Sequence, residues 1–167
     1  MTDQSPGPAR SDEALAQVAE IARRRANEPG PLLEILHEVQ ALLGCVPPEA
    51  IPVIAAALNL SRAEVHGTMS FYHYFRSSPP GAHVLHLCRA EACQSMGALQ
   101  LEALVRERLG IASGETSPDG SVTFESVYCL GLCACAPAAM VDGEVHGQLD
   151  RARLEALLAR VSAGGAR

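Results

Sequence analysis

A chain of 167 residues is long enough to bury a real core, and a composition that is 48% hydrophobic and 19% charged, without a long low-complexity tract, is that of a globular protein. The formal net charge of −6 at pH 7 argues against a nucleic-acid or anionic-membrane surface, which needs clustered Lys and Arg. No apolar stretch reaches the length of a membrane span, and the start M-T-D-Q-S-P-G-P lacks the basic and apolar regions of a secretory signal, so a cytoplasmic protein without direct membrane insertion is expected.

Residues 1–10 are polar, carry two prolines and a glycine, and are expected to form a disordered leader. From Ser11 the pattern turns helical, with Ser11 as a cap and Leu15, Val18, Ile21 and Ala22 on one face. A second helix opens at Pro31, carries Leu32, Ile35, Leu36, Val39, Leu42 and Leu43, and stops at Gly44. A third follows Pro47-Pro48, with Val53, Ile54, Ala57 and Leu58 inward and Pro52 confined to the first turn. Ser61-Arg62-Ala63-Glu64 is a capping box that starts a short fourth helix. Residues 11–80 therefore read as a helical bundle with no chemistry of its own.

The segment Phe71-Tyr72-His73-Tyr74-Phe75 holds four of the six aromatic residues. It reads first as a packing plug and second as a partner-binding surface. Ser77-Ser78-Pro79-Pro80-Gly81 then breaks the chain and marks the domain boundary.

The second half, residues 81–163, alternates in type and leaves 164–167 as a flexible tail. His83–Leu87 fits a buried strand that ends at Cys88. Residues 94–109 read as a helix with Leu99, Leu101, Leu104, Val105 and Leu109 on its apolar side, and Ser113–Gly120 reads as a loop. Ser121–Tyr128 alternates and delivers the chain to Cys129. Ala139–His146 is a hairpin with Asp142-Gly143 at its turn, and Arg151–Val161 is an amphipathic helix. The order β-α-β-β-β-α is that of a small α+β unit with helices covering a sheet.

In a reducing compartment disulfides are disfavoured, so six cysteines call for a metal or redox explanation. Four are patterned. Cys88 and Cys93 enclose four residues, and Cys129 and Cys133 enclose three, with each pair placed where a strand runs into a loop. A [2Fe–2S] cluster takes two thiolates on each iron, and structural zinc takes four around one ion. Zinc knuckles favour a two-residue spacing, so the looser spacing suits the cluster better. A thioredoxin-like dithiol is weakest, since C-x-x-C is absent. Around the second pair Gly131, Ala134 and Ala136 let main-chain N–H groups approach sulfur, and Leu130 and Leu132 keep the local polarity low.

Cys45 reads as a buried structural thiol, and Cys135 either substitutes for Cys133 or packs beside it. His86 shares a strand face with Cys88, but a Rieske-like mixed site needs a second Cys/His pair, and none follows Cys129 at short range. Gly131, Gly143 and Gly147 read as loop or turn glycines. No nucleophile–base–orienter set and no glycine-rich phosphate loop is present, so neither catalysis nor NAD binding is expected within this chain.

With these residues in place, the chain resembles the NuoE-type family of thioredoxin-like [2Fe–2S] proteins over residues 12–162. The resemblance rests on C-x4-C, C-x3-C and the stretch S-F-Y-H-Y-F before the first cluster strand. It implies a thioredoxin-like fold for 81–163 and a [2Fe–2S] cluster on Cys88, Cys93, Cys129 and Cys133, which selects Cys133 over Cys135. The segments C-R-A-E-A-C-Q-S-M-G and Y-C-L-G-L-C-A-C-A-P are most similar to the gamma subunit of NAD-dependent molybdenum formate dehydrogenases, with the corresponding subunits of respiratory complex I and NAD-reducing hydrogenases close behind. The implied role is single-electron exchange with a flavin- and NAD-binding partner subunit, in a complex expected to include a molybdenum catalytic subunit. A zinc-stabilised interaction module and a sensor with a labile cluster are the rivals.

Overall fold

The computed structural model describes residues 8–163. The chain divides into two compact units, Met1–Pro79 and Pro80–Arg167. Among the described residues no helix is long and apolar enough to cross a membrane.

The first unit comprises α1 (Pro8–Arg25), α2 (Pro31–Leu43), α3 (Ala50–Leu58) and α4 (Arg62–Phe71). Helix α1 begins at Pro8, three residues before the expected start, which places Ser11 within the helix. Residues 1–7 of the expected leader, and the expected tail 164–167, lie outside the described residues. Apolar side chains spaced three or four apart converge on one core: Val18, Ile21 and Ala22 from α1, Ile35, Leu36 and Val39 from α2, Ile54 and Ala55 from α3, Val65 and Met69 from α4. Ala55 replaces the expected Ala57, which faces outward. Both arms of the capping box form, with the Glu64 N–H donating to Ser61 Oγ at 3.2 Å and the Ser61 N–H to Glu64 Oε2 at 2.8 Å.

The aromatic stretch is mostly not a plug. Phe75 enters the helical core, whereas Phe71, Tyr72 and Tyr74 stay exposed. Gln40 fixes this segment from inside α2. Its Nε2 donates to the Tyr74 carbonyl at 2.8 Å, and its Oε1 accepts from the Arg76 N–H at 2.7 Å. The buried amide thus pairs two main-chain groups that lie outside any helix or strand.

The second unit holds β1 (His83–Cys88), α5 (Glu91–Ser95), α6 (Ala98–Leu109), β2 (Glu115–Thr116), β3 (Val122–Val127), β4 (Ala139–Val141), β5 (Glu144–His146) and α7 (Arg151–Ala163). The sheet runs β2-β3-β1-β4-β5. β1 and β3 are parallel and the other pairings antiparallel, so the fold is α+β with one βαβ crossover. Leu85, Leu87, Val122, Phe124, Ala139 and Val141 share a core with Leu101, Leu104 and Val105 of α6 and Leu154, Leu158 and Val161 of α7.

The single helix expected over 94–109 is two. Gly97 adopts φ +100°, a left-handed conformation that ends one helical run and starts the next, and Leu99 points outward. The loop expected over Ser113–Gly120 contains the short edge strand β2. Asp142 and Gly143, both at positive φ, form the two-residue turn between β4 and β5.

Gln40→Leu preserves volume and apolar packing but leaves the Tyr74 carbonyl and the Arg76 N–H without the amide that pairs them. The expected result is a loss of about 1–3 kcal/mol in a denaturant melt, the net worth of two hydrogen bonds at about 0.5–1.5 kcal/mol each. An unchanged melt would show that this side chain is not what secures the aromatic segment.

Candidate metal centre

Two adjacent parallel strands end at the same level, and each leads into one cysteine pair. Cys88 is the last residue of β1 and pairs in register with Val127, the last residue of β3 and two positions before Cys129. The C-terminal edge of neighbouring parallel strands is where open α/β sheets place their ligands. Main-chain hydrogen bonds tighten the junction: the Arg89 N–H donates to the Val127 carbonyl at 2.7 Å and the Cys88 N–H to Ala138 at 3.0 Å.

Cys93 sits on the one-and-a-half-turn helix α5, five residues after Cys88. Cys129 adopts φ +85°, an uncommon conformation for a residue with a Cβ, which turns the chain sharply at the end of β3. Gly131, at φ +80°, continues that turn, and its N–H donates to Cys129 Sγ at 3.4 Å. Cys133 begins a short 3-10 turn, Cys133–Cys135, and its sulfur lies 3.6 Å from that of Cys129.

All four patterned cysteines are therefore brought to one edge of the sheet, as two pairs in different surroundings. Cys88 and Cys93 are each 2% exposed and pack with Ala98 and Ala138, flanked by Ala90, Val127, Leu130, Leu132 and Ala136. Cys129 and Cys133 are exposed. A pairwise arrangement is what a two-iron rhomb asks of its ligands, one pair to each iron.

The electrostatics differ between the pairs. Burial acts to raise the Cys88 thiol, but main-chain donors at Ala90, Cys129 and Leu130, together with the Cys93 thiol, outweigh it and hold Cys88 below the ordinary thiol value. Those donors come from both cysteine loops, so a Cys88 thiolate is solvated by amides in place of water. Burial pushes the Cys93 thiol up, as does the neighbouring Cys88, against one main-chain donor at Ala138. Cys133 is raised by its hydrogen bond to Cys129 and then by the charges of Cys129 and Cys88. Gathering so many thiolates is unfavourable without a cation, and a bound metal centre relieves that repulsion.

Cys135 is exposed on the same 3-10 turn and faces a different neighbour. A Cβ built on Gly147 would stand 2.8 Å from Cys135 Cβ, 2.9 Å from its carbonyl oxygen and 3.3 Å from Leu132. Gly147 is a loop glycine, as expected, but one that leaves no room for a side chain. It is the place where the β5–α7 connection closes against the turn that carries Cys133, and the Gln148 N–H donates to the Cys135 carbonyl there at 2.5 Å. Spacing gave no sign of this contact. Cys45 is buried in the helical unit, where burial raises its thiol. His86 is committed to Glu125, its register partner on β3, with 3.0 Å between Nε2 and Oε2.

A mixed sheet with helices on one face and two cysteine pairs at the ends of its parallel strands defines a thioredoxin-like domain with a thiol-rich site. The chain belongs to the thioredoxin-like [2Fe–2S] ferredoxin family, which it matches over residues 18–162, and its cofactor is a [2Fe–2S] cluster. It is 38% identical over 154 residues to NADH-quinone oxidoreductase subunit 2 of Thermus thermophilus, covering 92% of this chain and 82% of that one. It is 30% identical over 143 residues to the NADP-reducing hydrogenase subunit HndA of Solidesulfovibrio fructosivorans, covering 86% and 84%. A crystal structure of an NAD+-reducing [NiFe]-hydrogenase in the H2-reduced state superposes with a TM-score of 0.68 at 28% identity. That match covers 80% of this chain and 22% of the hydrogenase chain.

Gly147→Ala forces the 3-10 turn to shift. Iron is expected to leave the purified protein for a chelator about fivefold faster or more, the effect of roughly 1 kcal/mol of strain. An unaltered rate of iron loss would show that the turn does not depend on this contact.

Proposed function

We propose that this chain is the electron-transfer subunit of a pyridine-nucleotide-linked oxidoreductase complex, with Cys88, Cys93, Cys129 and Cys133 as the ligands of its cluster. The observation that carries the reading is the convergence of two cysteine pairs, one buried and one exposed, at the ends of β1 and β3. When bound, a [2Fe–2S] cluster supplies a one-electron couple. The protein's part is to hold and insulate it. Cys88 and Cys93 anchor one side among apolar residues, amide donors at Ala90, Cys129 and Leu130 compensate the buried thiolate, and the exposed Cys129–Cys133 side leaves a short path to a partner.

The partner in this reading is a flavin- and NAD-binding subunit, in the cytoplasm. The names of the relatives favour an NADH-quinone oxidoreductase or an NAD(P)-reducing hydrogenase as the parent complex. The formate dehydrogenase setting, with its molybdenum subunit, rests on the residues of the two cysteine loops alone and takes second place. A zinc-stabilised module is disfavoured by the spacing within the two cysteine pairs, four and three residues where zinc knuckles favour two.

Anaerobic purification followed by metal and sulfide analysis tests the cofactor and its ligands. About two irons and two sulfides per chain are expected, and a colourless protein with one zinc would overturn the reading. Cys133→Ala is expected to abolish the reduced-cluster EPR signal while Cys135→Ala keeps it; the reverse pattern would move the ligand by two residues. The purified chain alone should show no NAD-linked turnover. Proteins that copurify from its own cell identify the complex, since quinone-reductase or hydrogenase subunits support the first setting and a molybdenum subunit the second.

A further inference from the structure

Glu102, on α6, is the one charged residue among the buried described residues. Its side chain is 7% exposed and lies between two guanidiniums, with Oε2 3.0 Å from Arg89 Nε and Oε1 2.9 Å from Arg106 Nη2. A desolvated carboxylate is costly unless paired, and apolar side chains in place of such an ion cluster are often equally stable or more so. Stability alone therefore does not account for it.

What Glu102 holds does. Arg89 directly follows Cys88. Its N–H donates to the carbonyl of Val127, two residues before Cys129, and its carbonyl accepts from Nε2 of Gln94, the residue after Cys93, at 2.7 Å in both cases. A single residue is thus joined to the chain beside three of the four cysteines. We propose that Arg89, held by Glu102, is a positioning residue for the cluster and a determinant of its reduction potential. Its main chain fixes the spacing of the two cysteine loops, and its guanidinium keeps a positive charge beside the Cys88 side. Reduction adds one negative charge to the centre, so a fixed cation nearby favours the reduced form. Glu102 anchors that cation and partly offsets it.

The proposal rests on Cys88 being a ligand. That is checked separately by Cys88→Ser, in which loss of the wild-type EPR signal upholds the assignment and retention removes the ground for placing Arg89 beside the cluster. The test itself is a dithionite titration with redox mediators, followed by EPR, on the full-length cluster-bearing chain. Arg89→Gln is expected to lower the one-electron reduction equilibrium about three- to tenfold, a fall of about 30–60 mV at 59 mV per tenfold. Arg89→Lys keeps the charge and is expected to stay within about threefold of wild type on the same scale. Equal shifts in the two variants, or none in either, would overturn the proposal. Glu102→Gln keeps a polar side chain beside Arg89 but removes the negative charge that offsets it, so the midpoint is expected to rise; a midpoint that stays or falls counts against the charge argument.

Discussion

The parallel pairing of β1 with β3, with Cys88 opposite Val127, is the constraint on which the site depends. Parallel strands need a long crossover, supplied here by α5, α6 and β2, so residues far apart in sequence finish side by side at one edge. Without that register Cys88 and Cys129 would leave the sheet at different levels, and no local loop geometry could bring the two pairs together. The core of Leu85, Leu87, Val122 and Phe124 against α6 and α7 therefore serves the site directly, because it prevents the strands from slipping.

Around that edge the protein balances two demands. In the proposed site, burying the Cys88–Cys93 side would keep water from the centre, yet it removes solvent from groups that would have to be thiolates. Amide donors from both cysteine loops meet that demand at Cys88. The Cys129–Cys133 side keeps its exposure, held by a left-handed Cys129 and a 3-10 turn that closes against Gly147. A centre sealed on one side and accessible on the other suits a carrier that must be protected and must still exchange electrons with a neighbour.

Much of this was legible in the sequence because its signals are local. The capping box at Ser61, the Asp142-Gly143 turn, the helical periodicities and the strands that run into cysteines all appear where periodicity and turn chemistry place them. The split between α5 and α6 was not, because Gly97 in an apolar helical run reads as a tolerated glycine until its φ is known. Strand β2 has only two residues and no pattern to reveal it. The aromatic stretch misled for a related reason: composition marks Phe71, Tyr72 and Tyr74 as core, while the end of α4 turns them outward and keeps only Phe75 inside. Gly147 against Cys135, and Glu102 against Arg89, are contacts between distant segments, which no spacing rule encodes. The family resemblance, carried by the cysteine spacing, reached the cofactor correctly. The parent complex depends on surfaces that meet other subunits, and loop residues beside the cysteines are a weak guide to those.

The central claim, that two cysteine pairs hold a two-iron centre and not a single ion, is tested most directly by X-ray absorption at the iron edge of the anaerobically purified chain. The account predicts an all-sulfur first shell around each iron together with a clear iron–iron scattering component. A sulfur shell with no metal–metal component, or no bound iron and a zinc edge in its place, would contradict it.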